Sequence, residues 1–254
     1  MLKEENMNGF VGEVIGTMFL ILLGDGVVAN VLLAKTKGNN SGWIVITLAW
    51  AMAVFVGAYI SAAASGAHLN PAVTIGLAVA GKFAWAQVGP YIVAQMIGAF
   101  LGATLVWLMY LPHWAETKDQ GLKLAVFSTG PAIRNVTSNL MGEIIGTFVL
   151  IFGILCIKGV SYAEAGSTVN VSMGALGIIP VALLVLAIGL SLGGPTGYAI
   201  NPARDLGPRI AHFVLPIAGK GDSDWEYSWI PVVGPVIGSI IAALLYMAVA
   251  PFGF

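Results

Sequence analysis

The sequence predicts an all-α membrane protein: six transmembrane helices and two re-entrant half-helices, built from an inverted repeat. Three observations predict it. Of the 254 residues, 58% are hydrophobic and 9% charged, whereas an ordinary soluble domain carries about a quarter charged residues. Six apolar runs approach the roughly 20 residues that cross a bilayer as a helix. The tripeptide Asn-Pro-Ala occurs twice, as Asn70-Pro71-Ala72 and Asn201-Pro202-Ala203, each just after a glycine-containing loop in an otherwise apolar chain.

The elements follow in order. Apolar runs near 10–33, 43–64, 88–110, 139–157, 174–193 and 229–250 are the spans, and their apolarity on all sides suits helices facing lipid and each other. The amino end, with Lys3 against Glu4 and Glu5, lacks the positive region of a cleaved signal, so the first run is expected to remain as a span. Between spans two and three, Ser65-Gly66-Ala67-His68-Leu69 leads into a half-helix from Asn70 to about Ala80. Between spans five and six, Gly194 to Ile200 leads into a second, from Asn201 to about Val214. The longest polar connection, Pro112 to Ser138, divides the chain. Cys156 is the single cysteine, which excludes disulfides within the chain and Cys-based metal clusters. The balance of 11 basic and 12 acidic residues offers no surface for nucleic acid.

The two halves repeat. Gly12-Glu13-Val14-Ile15-Gly16-Thr17 matches Gly142-Glu143-Ile144-Ile145-Gly146-Thr147 at an offset of 130, and the Asn-Pro-Ala copies are offset by 131. Residues 1–254 thus read as one transmembrane domain of two repeats, approximately 9–110 and 139–250. Three spans per repeat invert the second copy, so the half-helices enter from opposite faces and their Asn ends meet near the midplane. Small pairs four apart, Gly12/Gly16, Gly98/Gly102, Gly142/Gly146 and Gly234/Gly238, support close helix packing.

The chemistry gathers at these ends. Asn before Pro is a helix start, since Asn caps and Pro needs no N–H partner at the first position. Capping by Oδ1 leaves each amide NH₂ to point into a lumen, beside a positive dipole end. Arg204 lies one turn into the second half-helix, where a guanidinium needs water or a partner. It is either half of a structural ion pair or a pore donor, and Asp205 leaves a different face of the helix. Glu13 and Glu143, repeat-matched, suit structural acceptors for the N–H groups of the two loops. Asp25 has no repeat partner, because Leu155 stands in its place, and is read as a structural hydrogen-bonding group. His68 is read as fixing its loop. Asn135-Val136-Thr137 fits a short glycosylation sequon. No nucleophile–base pair, nucleotide loop or metal-ligand cluster suggests an enzyme, a cofactor or a metal.

His68-Leu69-Asn70-Pro71-Ala72-Val73-Thr74 and Asn201-Pro202-Ala203-Arg204-Asp205-Leu206-Gly207-Pro208-Arg209 resemble the two signature loops of the aquaporin family. Asp205, Arg209, Pro231 and Phe127-Ser128-Thr129 with Pro131 resemble its glycerol-facilitator branch. The resemblance implies an aquaporin-like right-handed bundle, a homotetramer with one pore per subunit, in the cell membrane. Mapped by motif spacing, the family's selectivity ring becomes Trp50, Gly189, Tyr198 and Arg204. Gly189 is expected to leave one wall open, where water-selective members place His. Two aromatic faces opposite a fixed donor suit a polyol. The carbonyls of Gly66, Ala67, His68, Thr196, Gly197 and Tyr198 are implied as lumen acceptors, with Glu13, Glu143 and Asp205 as structural support.

The implied function is passive passage of glycerol and other small uncharged solutes, neutral hydroxy acids among them, with water as co-permeant. A water-selective channel and an ion-coupled secondary transporter are the alternatives, the latter needing a titratable pair near the midplane. Both termini are implied to be cytoplasmic. That leaves Lys3, Lys82 and Lys158 inside and eight of the 11 basic residues outside, the reverse of the usual asymmetry.

Overall fold

The structure, a computed structural model, describes residues 2–164, 167–171 and 173–252. The side chains of Lys3, Glu4 and Glu5 lie outside the described part. Six helical stretches are long and apolar enough to cross a membrane: Asn8–Leu32, Trp43–Ser65, Trp85–Met109, Val136–Cys156, Gly174–Leu192 and Ile230–Phe252. They belong to α1 (Leu2–Leu32), α2 (Trp43–Ser65), α4 (Trp85–Met109), α7 (Val136–Cys156), α8 (Ile179–Leu192, entered through a 3₁₀ turn Gly174–Ile178) and α10 (Ile230–Val249, closed by a 3₁₀ turn Ala250–Phe252). The half-helices are α3 (Pro71–Val79) and α9 (Pro202–Val214). Helix α1 starts before the apolar run, at Leu2.

Two features depart from the sequence expectation. The connection from Pro112 to Ser138 folds into α5 (Leu111–Glu116) and α6 (Gln120–Phe127). Pro112 stands in the first turn of α5, where its missing N–H costs nothing. Asp119 caps α6 by accepting from the Leu122 N–H at 3.1 Å. After α7 the chain forms an antiparallel hairpin, β1 (Val160–Glu164) with β2 (Ser167–Val171), pairing Val160 with Val171 and Glu164 with Ser167.

Close helix crossings hold the repeats together. A side chain at Gly98 of α4 would strike the Val14 carbonyl of α1, and one at Gly238 of α10 would strike the Ile144 carbonyl of α7. Val14 and Ile144 are repeat partners, so Gly98 corresponds to Gly238. The pairs Gly98/Gly102 and Gly234/Gly238 are therefore one turn out of register with each other. Small residues at such crossings let helix backbones pack without a hydrophobic driving force between them.

The 112–138 connection also reaches inward. Trp114 and Phe127 are buried and stacked at 5.5 Å between ring centroids. Beyond them, Thr129 donates its N–H and Oγ1–H to Asp205 Oδ2 at 2.8 and 2.7 Å. Arg209 Nη2 donates to the Thr129 carbonyl at 3.0 Å. This ties the connection to the half-helix α9.

Candidate functional site

The two half-helices meet through their caps. Asn70 Oδ1 accepts from the Ala72 N–H at 2.8 Å, and Asn201 Oδ1 accepts from the N–H groups of Ala203 and Arg204 at 3.0 and 3.2 Å. Asn70 Nδ2 donates to the Ile200 carbonyl at 2.8 Å, and Asn201 Nδ2 donates to the Leu69 carbonyl at 2.9 Å. Each amide therefore spends one of its two donors across the junction, and only the second remains for the lumen. From the sequence alone both donors of each amide are expected in the lumen; the structure leaves one.

The loops before the caps are bent the same way. Positive φ occurs at Gly66, Ala67 and Leu69 (78°, 55° and 53°) and again at Gly197, Tyr198 and Ile200 (81°, 40° and 43°). The left-handed region costs a non-glycine residue of order 1 kcal/mol or more and persists where surroundings hold it. Buried carboxylates do the holding. Glu13 accepts from the N–H groups of His68 and Leu69 at 2.9 and 2.7 Å, from Ser65 Oγ at 2.7 Å and from Gln95 Nε2 at 2.7 Å. Glu143 accepts from the N–H groups of Ala199 and Ile200 at 3.0 and 2.8 Å and from Thr196 Oγ1 at 2.7 Å.

A trans peptide points its carbonyl opposite to the following N–H. Turning the His68 and Leu69 N–H groups toward Glu13 aims the carbonyls of Ala67 and His68 away from it. The same geometry aims those of Tyr198 and Ala199 away from Glu143. A cavity of about 220 Å³ is lined by Gly66, Ala67, His68, Tyr198 and Ala199, together with both capping Asn residues. Thr196 and Gly197 are not in that lining, and the Thr196 hydroxyl donates to Glu143. Ala199 lines the cavity as well, and the 131-residue offset from His68 could have found it. His68 Nδ1 lies 3.1 Å from Thr74 Oγ1, with its ring packed on Phe83 and Tyr91.

Trp50, Tyr198 and Arg204 line the same cavity, and Gly189 does not. A Cβ at Gly189 would come 2.9 Å from Tyr198 Cζ and 3.0 Å from Thr47 Cγ2. Gly189 is thus the seat of the Tyr198 ring, and the wall expected to be open is filled by that ring. Trp43 closes the seat, donating Nε1–H to the Gly189 carbonyl at 3.0 Å and meeting Tyr198 edge to face. The Arg204 guanidinium carbon stands 4.2 Å above the Trp50 ring centroid. Its Nη1 lies 3.4 Å from Asp25 Oδ1 and 3.5 Å from the Phe127 carbonyl. Asp205 faces Arg209 instead, with Nε to Oδ1 at 2.8 Å and Nη2 to Oδ2 at 3.0 Å. Sequence reasoning did not join Asp25 to Arg204, for the two stand 179 residues apart.

Six apolar helices around two half-helices that meet cap to cap, beside a lumen of donors, carbonyls and aromatic rings, define an integral, multi-pass membrane channel. The chain belongs to the family described as Major intrinsic protein, whose pattern matches residues 1–246. It is 58% identical over 240 residues to a probable glycerol uptake facilitator of Thermotoga maritima, covering 94% of this chain and 98% of that one. It is 55% identical over 246 residues to glycerol uptake facilitator protein 3 of Lactiplantibacillus plantarum, covering 97% and 98%. Among solved structures, the aquaglyceroporin of Plasmodium falciparum superposes with a TM-score of 0.82 at 33% identity, covering 97% of this chain and 98% of that one.

Proposed function

We propose that this chain is one passive channel domain of two inverted repeats, conducting glycerol and other small uncharged solutes with water as co-permeant. One observation carries the reading: a single cavity is walled by the rings of Trp50 and Tyr198, the guanidinium of Arg204 and the amides of Asn70 and Asn201. A polyol has a CH edge and a hydroxyl edge. The aromatic walls take the first, while Arg204, the Asn amides and the carbonyls of Gly66, Ala67, His68, Tyr198 and Ala199 take the second. Selectivity in such a pore depends on its bore and on the donors and acceptors that replace hydration.

In this reading Trp50, Tyr198 and Arg204 form the selectivity ring, and Gly189 belongs to it by seating Tyr198. The names of the relatives above favour glycerol as permeant. The ion-coupled alternative needs a titratable pair at the midplane, and the candidate acid, Asp25, faces Arg204. By family analogy the channel assembles as a homotetramer in the cell membrane.

The test is stopped-flow light scattering of proteoliposomes against glycerol, urea and water gradients, with and without sodium and proton gradients. Glycerol flux above that of empty vesicles, indifferent to either ion gradient, is the expected result. Flux that stops when an ion gradient is collapsed would place the protein among coupled transporters.

A further inference from the structure

We propose that Asp25 is the counter-charge of the filter, a positioning residue that suspends Arg204 and keeps the ring electrically neutral, so that the pore passes polyols without trapping anions. The proposal rests on the reading of Arg204 as a ring residue given above.

Asp25 is fully buried in α1 and is not among the residues lining the cavity. Its neighbour Gly24 packs directly under the Trp50 ring. The carboxylate meets the guanidinium from the α1 side, with Oδ1 3.4 Å from Nη1, outside the cavity lining. A carboxylate at this depth persists only with a partner, and Arg204 Nη1 lies 3.4 Å from Oδ1. Among the described residues Oδ2 has no hydrogen-bond partner, so Asp25 is not anchoring a loop as Glu13 and Glu143 do. At the repeat-related position stands Leu155. The fold itself thus does not demand an acid there; the arginine, which has no repeat mate either, does.

The geometry of the hold is informative. Charge-assisted N–H···O bonds usually measure about 2.7–2.9 Å, yet Arg204 Nη1 is 3.4 Å from Asp25 and 3.5 Å from the Phe127 carbonyl. The guanidinium is held by these two long contacts and by the Trp50 face at 4.2 Å. None of them consumes its remaining donors, which stay available to a solute. Asp205 cannot substitute, since both its oxygens are engaged by Arg209 and Thr129. Each arginine of α9 then has its own acid, Arg204 with Asp25 and Arg209 with Asp205, and the charges cancel. Without Asp25 an uncompensated cation would stand beside two positive helix ends in a low-dielectric wall. That is a site that binds small anions and releases them slowly.

The test uses Asp25→Asn, close in shape, in proteoliposomes, with water and glycerol permeability measured in sodium gluconate and again in sodium nitrate at equal ionic strength. Native protein is expected to show the same glycerol permeability in both salts. Asp25→Asn should lose glycerol permeability on the order of tenfold, more than it loses water permeability, because removing one member of a buried charge pair strands the other. Nitrate should depress its glycerol flux further. Asp25→Glu should restore salt indifference. Adding Arg204→Gln to Asp25→Asn should abolish the nitrate effect, because the stranded charge is gone.

A folded Asp25→Asn protein with native glycerol flux and no nitrate effect overturns the proposal. So does failure of Asp25→Asn to assemble both alone and with Arg204→Gln, since that marks a fold role independent of the arginine. Absence of glycerol flux in the native protein would instead reject the functional reading itself.

Discussion

Asn70 and Asn201 each donate to the carbonyl just before the other: Asn70 Nδ2 to Ile200 at 2.8 Å, Asn201 Nδ2 to Leu69 at 2.9 Å. The two half-helices are latched by the same groups that cap them. Leu69 and Ile200 have positive φ, 53° and 43°, and this bend presents each carbonyl to the opposite amide. Two positive helix ends thereby face one point in the chain, and each Asn keeps one N–H for a passing oxygen.

Asn201→Asp tests that junction. The carboxylate still caps the Ala203 and Arg204 N–H groups but cannot donate to Leu69, and it brings a negative charge to a place built to repel cations. We expect weaker glycerol flux and a new proton leak, read with a pH-sensitive dye inside vesicles. Vesicles that stay proton-tight with native glycerol flux would show that the latch and the donor are dispensable.

Gly189 gives a second test. Even a methyl group there meets Tyr198 Cζ at 2.9 Å, so Gly189→His must displace the ring toward the lumen as well as add an imidazole. Glycerol flux should fall far more than water flux, since the larger solute loses its path first. Gly189→His with Tyr198→Ala vacates the seat and should recover water flux further than Gly189→His alone. Equal loss of both solutes in folded Gly189→His would place the constriction elsewhere.

The buried carboxylates bear on stability. Glu13 accepts four hydrogen bonds and Glu143 three. Replacing either by Gln turns one acceptor oxygen into a donor facing donors. The cost should be about 2–3 kcal/mol, larger for Glu13→Gln than for Glu143→Gln. Thermal unfolding in detergent measures it, and a transition unchanged in both variants would remove these acids from the account of the loops.

The sequence carried what short range and repetition can carry. Hydropathy located six spans, and Asn-Pro-Ala located two half-helices whose ends, Val79 and Val214, fall within a residue of expectation. The repeat-matched Glu13 and Glu143 pointed to the loops they hold. What it missed depends on contacts between distant segments. Gly189 read as an opening because nothing local says that Tyr198, nine residues on, folds back over it. Asp25 read as a structural hydrogen-bonding group with no named partner, because Arg204 comes from the other repeat. The 112–138 connection read as loop because its helices gain from burying Trp114 and Phe127 against the bundle rather than from their own periodicity.

The charge count that conflicts with the family orientation includes residues that are not free charges. Of the eight basic residues that the family orientation puts outside, Lys35, Arg134, Arg204 and Arg209 are in ion pairs. Lys123 and Lys220 donate to backbone carbonyls. Lys35 and Arg134 remain exposed, but Arg204 and Arg209 are buried with their acids, and a count of Lys and Arg treats those two as solvated charge.

Small hydroxy acids supply the last prediction. If lactic acid passes, it passes as the protonated acid. An anion would have to shed water among aromatic walls and carbonyl oxygens, and shedding it is costly without a compensating charge. Arg204 carries such a charge, but Asp25 already faces it. The neutral acid presents hydroxyls much as a polyol does and carries no such penalty. A carboxylic acid with a pKa near 4 is mostly ionised at neutral pH, so its flux should rise about tenfold for each unit of acidification toward that pKa. Glycerol has no group that titrates in this range and its flux should stay flat from about pH 5 to 8, which also asks whether His68, tied to Thr74 at 3.1 Å, gates the pore. Both solutes are to be followed in one proteoliposome preparation. Lactate flux that ignores pH, or that carries current, would show that the lumen conducts the anion and that the ring is not neutral.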